Sequence, residues 1–68
     1  MGKQDKKFTE RELKILGLLA EGMTKEVIKT SLNVSHVTLE KDLAVLKAKL
    51  NAFNTYNLIY LAAKNGVI

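Results

Sequence analysis

A chain of 68 residues has room for one small domain, and at this size only about 60% of the unfolded surface is buried on folding, so packing must be efficient. There is no cysteine and no proline, and 11 basic against 7 acidic residues leave a net charge of +4. This excludes a disulfide scaffold and every thiolate metal site, agrees with a reducing, cytoplasmic setting, and is compatible with an anionic partner without specifying one.

No apolar run is long enough to span a membrane, and no breaker interrupts the Leu-, Lys-, Ala- and Glu-rich segments, so the whole chain leans towards helix. Residues 1–7 (MGKQDKK) are charged and without periodicity, and they read as a flexible basic arm of net +2. Thr9-Glu10-Arg11-Glu12 is a capping box, with Phe8 ahead of it as a hydrophobic staple. It opens a first helix whose apolar stripe is read as Leu13, Leu16 and Ala20, with Ile15 and Leu19 beside it; Gly22 ends it.

Thr24 caps a short second helix with Val27, Ile28 and Leu32 on one side. Asn33, tolerant of positive φ, and the lone apolar Val34 make the turn. Ser35 then caps a third helix carrying Leu39, Leu43, Leu46 and Leu50 at offsets of 4, 7 and 11, the clearest amphipathic signal in the chain. Asn51 ends it. Asn54 caps a fourth helix with Leu58, Ile59, Leu61 and Ala62, closed by Asn65-Gly66. The expected fold is therefore all-α: a compact four-helix bundle with a single domain over residues 8–68.

A short helix, a three-residue turn and a longer helix have the dimensions of a helix-turn-helix. In that arrangement the start of the second helix of the pair meets the base edges of double-stranded DNA. Here that surface carries His36, Val37, Thr38, Glu40 and Lys41, with Val45 further round, and Val37 is suited to a thymine methyl. Ser35, Lys25, Lys47 and Lys49 suit phosphate contacts. Tyr56 and Tyr60 lie one turn apart on the fourth helix; with Ala63 they make a candidate dimer face, the alternative being core.

With one histidine, no glycine-rich phosphate loop and no carboxylate cluster, neither catalysis, a metal nor a cofactor is expected.

In order and without a gap, Phe8-Thr9-Glu10-Arg11-Glu12, Leu18-Leu19-Ala20-Glu21-Gly22-Met23-Thr24, Leu32, Val34-Ser35, Thr38-Leu39, Leu43, Leu46, Lys49-Leu50, Asn54 and Asn65-Gly66-Val67-Ile68 follow one pattern. In these residues the chain resembles the LuxR-type (GerE-like) DNA-binding domain of bacterial transcription regulators. The resemblance implies a four-helix fold, dimerisation through the fourth helix and recognition of a promoter element by the third. It fits a short standalone protein and the C-terminal domain of a longer regulator, with a receiver or sensor domain ahead, equally well; another regulator is a further candidate partner.

The departures fall on the reading surface. Val37, Glu40 and Asp42 stand where the family usually carries Lys, Lys and His, and Lys29 stands where a small Ala usually separates the second and third helices. Carboxylates facing phosphates repel them, and residues 34–50 hold a net charge of only +1. Two functions follow. The first is sequence-specific binding of double-stranded DNA as a dimer, in transcription regulation. The second is a degenerate helix-turn-helix serving protein–protein interaction or dimerisation, with weak or no DNA binding.

Overall fold

The computed structural model describes residues 8–68; the basic arm, residues 1–7, lies outside them. Four helices follow one another: α1 (Glu10–Ala20), α2 (Lys25–Leu32), α3 (His36–Leu50) and α4 (Thr55–Lys64). No strand occurs among the described residues.

Each helix starts and stops by the same local chemistry. Thr9, Thr24, Ser35 and Asn54 sit in extended backbone, and each side chain accepts the amide of the third helical residue: Glu12, Val27, Thr38 and Asn57. At Thr9 the exchange is reciprocal, because its amide donates to Glu12 Oε1 at 3.0 Å and completes the capping box. Each helix ends on a left-handed residue: Gly22 (φ 86°), Asn33 (φ 55°), Asn51 (φ 61°) and Gly66 (φ 75°). The amide after each folds back on the carbonyl five residues earlier, as Met23 to Leu18, Val34 to Lys29, Ala52 to Lys47 and Val67 to Ala62. These bonds satisfy carbonyls that the helix itself leaves orphaned.

The core gathers Phe8, Ile15, Leu16, Leu19, Ile28, Leu39, Leu43, Leu46, Leu58 and Ala62. α3 packs on α4 and α2, while α1 packs on α2 and α4. Leu13, Leu32, Val34, Leu50 and Ile59 are partly buried against this core, Val34 in the α2–α3 turn.

Two sequence expectations need correction. The buried face of α1 is Glu12, Ile15, Leu16 and Leu19, whereas Ala20 is exposed. The stripe is rotated because the capping box and a partner from α3 bring a carboxylate inside. The second correction concerns α3. Its inner face is Leu39, Leu43 and Leu46, but Val37, Ala44, Val45 and Ala48 are exposed, so the helix is apolar on both sides.

Candidate nucleic-acid interface

The α2–α3 pair is joined by Asn33, Val34 and Ser35, and the left-handed backbone at Asn33 reverses the chain in that space. α3 is 15 residues long, about 22 Å at 1.5 Å per residue, which is enough to span the width of a major groove. Its first turn is open to solvent. Ser35, His36 and Val37 are exposed, Thr38 half-buried and Lys41 exposed. The Ser35 hydroxyl accepts the Thr38 amide and donates to Thr38 Oγ1, both at 3.1 Å, leaving the Thr38 hydroxyl proton available to an acceptor. The α3 N-terminus thus presents backbone amides, two hydroxyls and the positive end of the helix dipole together.

The carboxylates behave differently from the sequence reading. Asp42 turns towards α1, where Arg11 Nη2 donates to Oδ1 at 3.1 Å and Arg11 Nε lies 2.9 Å from Oδ2. Oδ2 is sealed from solvent and held there by charge rather than by an aligned hydrogen bond. Glu40 is taken by Lys25, whose Nζ donates to Oε2 at 2.9 Å from the first turn of α2. His36 Nε2 approaches the same oxygen at 3.9 Å. The hydrogen bond from Lys25 is the main reason the Glu40 carboxyl sits below its usual pKa; slight burial opposes it, and the charges of Lys25, His36 and Lys47 add to it. Two carboxylates that would repel phosphate are thereby tied to cations of neighbouring helices, and the cost is that Lys25 is also engaged.

Lys49 has moved inward from the role expected of it. Its ammonium donates to Glu12 Oε1 at 2.8 Å and lies 5.3 Å from the centre of the Phe8 ring. Burial works to raise the Glu12 pKa. Hydrogen bonds from Lys49 and the Thr9 amide, with the charges of Lys49 and Arg11, outweigh it and hold the group below 4.5. Lys49 therefore closes the fold between α1 and α3. Lys47 is half-buried, and Lys41 makes no ion pair among the described residues. The Lys29 ammonium reaches Glu26, one turn earlier in α2, at 2.9 Å while its side chain is largely covered.

On α4 Tyr56, Tyr60, Ala63 and Lys64 are exposed, which removes the core alternative for both tyrosines. Phe53, ahead of the helix, is 91% exposed and extends this aromatic surface. The sequence reading missed it because periodicity within α4 does not reach a residue before the cap. The Lys64 ammonium lies 5.8 Å from the Tyr60 ring centre.

No helix among the described residues is long and apolar enough to cross a membrane, and no cluster of ligating side chains able to hold a metal ion occurs among them.

Comparison with curated proteins and with solved structures found no significant match. Among protein families, the GerE description, bacterial regulatory proteins of the LuxR family, matches residues 6–62. That span takes in all of α1, α2 and α3 and most of α4, so the helix pair and its exposed leading turn lie within the matched region. The chain belongs to the LuxR (GerE) family, whose domain points to DNA binding in transcription regulation.

Proposed function

We propose that this domain binds a specific site on double-stranded DNA as a dimer and acts in transcription regulation, with α3 in the major groove. The observation that carries this reading is the open first turn of α3, where the Ser35–Thr38 hydroxyl pair and the helix N-terminus adjoin Val37 and Lys41. Ser35, Thr38 and the leading amides position the module on a phosphate. Lys41 is the base-contacting cation, and Lys47 lies further along the same helix. His36 borders the phosphate side, and Lys25 joins it once released from Glu40. The exposed aromatic face of α4, with Tyr56 at 85% and Tyr60 at 58% exposure, supports pairing with a second copy. A second reading, a helix-turn-helix kept for protein interaction, draws its support from the Lys25–Glu40 pair, which neutralises a cation at the edge of the reading surface.

Titration of fluorescent duplexes, random and selected, separates the two. Binding is expected at about 50 mM salt, weakening with a log–log slope of a few units as salt rises, since each neutralised phosphate adds close to one. No binding at that salt sinks the DNA reading. Lys41→Ala is expected to erase preference among sequences; a uniform loss across all duplexes makes Lys41 a phosphate contact instead.

A further inference from the structure

The outward face of α3 is poor in hydrogen-bonding side chains. At about 100° per residue, Val37, Lys41, Ala44, Val45 and Ala48 fall within an arc of about 100°. All five are exposed, Val37 at 66% and Val45 at 45%. Of the polar neighbours, Glu40 is paired with Lys25 and Asp42 with Arg11, while Ser35, His36 and Thr38 lie outside that arc, on the side assigned above to a phosphate. What remains is one cation among four aliphatic groups.

In the major groove the apolar feature of a base pair is the C5 methyl of thymine, and the acceptors are guanine O6 and N7, adenine N7 and thymine O4. A donor-only lysine flanked by aliphatic side chains matches that pair of features and has nothing to offer the amino groups of cytosine or adenine. We infer that this face discriminates sites by C5-methyl pyrimidines, with Val37 as the principal specificity-determining residue and Ala44 and Val45 as further apolar contacts, beside an acceptor-bearing base held by Lys41. The inference rests on the DNA-binding reading and names what that site selects. Val37 leads because it lies in the first turn of α3, the part of the helix that meets base edges in this docking mode, and is more exposed than Val45.

The test selects the best duplex from a random pool at low salt, using the whole 68-residue chain. Each thymine of that duplex is then replaced in turn by deoxyuridine, which removes the methyl and leaves every hydrogen-bonding atom in place. One or two replacements are expected to weaken binding about fourfold each, the effect of one methyl-sized apolar contact. In Val37→Ala at least one of those penalties disappears, while the thermal midpoint stays unchanged, because Val37 is exposed and Ala is the better helix former. Penalties absent at every thymine, or all retained in Val37→Ala, overturn the inference while leaving DNA binding intact. Failure to enrich or bind any duplex at low salt overturns the DNA-binding reading itself, and the methyl inference with it.

Discussion

Glu12 is one of two residues of α1, with Arg11, that tie this helix to α3. It caps α1 through the Thr9 amide, accepts from Lys49, and is 6% exposed. Because its folded pKa lies below 4.5, its ionised form adds stability that is fully present above that value and is lost as the pH falls through the folded one. Unfolding followed between pH 7 and pH 3 should therefore show a loss of stability beginning below about 4.5. Glu12→Gln keeps an acceptor for the cap but not the charge facing Lys49, and it should flatten that loss; Glu40, also lowered, leaves a residual slope. Glu12→Ala removes the cap acceptor too and should cost about 1 kcal/mol more at neutral pH. Equal acid dependence in wild type and Glu12→Gln would remove Glu12 from this role. Half of the role is legible in the sequence: the Thr9-x-x-Glu12 spacing announces the cap, because its partners are three residues apart. The partner Lys49 is 37 residues away, and no local spacing encodes such a pair.

At the level of elements, the starts and stops of all four helices are readable from single residues, since Thr, Ser, Asn and Gly act through their own backbone neighbours. The outward chemistry of α3 is less readable. The leucines at 39, 43, 46 and 50 make it look amphipathic, yet Val37, Ala44, Val45 and Ala48 make its solvent side apolar as well. Glu40 and Asp42 look outward-facing in one dimension, and only the placement of α1 and α2 shows which cations receive them. The α2–α3 pair gives this a functional consequence. Glu40→Gln leaves Lys25 without its carboxylate, and as both side chains are nearly half exposed, the thermal midpoint should change little. Random-sequence duplex should bind more tightly, with a salt slope steeper by about one as Lys25 takes a phosphate. An unchanged slope would mean that Lys25 does not reach the backbone.

The molecule as a whole measures 29 × 22 × 20 Å, and a domain this small has little stability to spare. Each 1 kcal/mol lost should lower its midpoint by roughly 4–8 °C. A monomer of this size that leaves Phe53, Tyr56 and Tyr60 exposed has reason to gain from self-association. Sedimentation should show wild type associating at tens of micromolar, and Tyr60→Glu sedimenting as a monomer with its helical circular dichroism retained. The same association state in both would take α4 out of the interface.

The clasp of Phe8, Glu12 and Lys49 joins the first described residue to the last turn of α3. Phe8 is 5% exposed, so the first described residue is anchored beside the trailing end of α3. Loss of the Phe8 ring, as in Phe8→Ala, would uncover the Lys49–Glu12 pair and slacken the hold of α1 on the far end of α3.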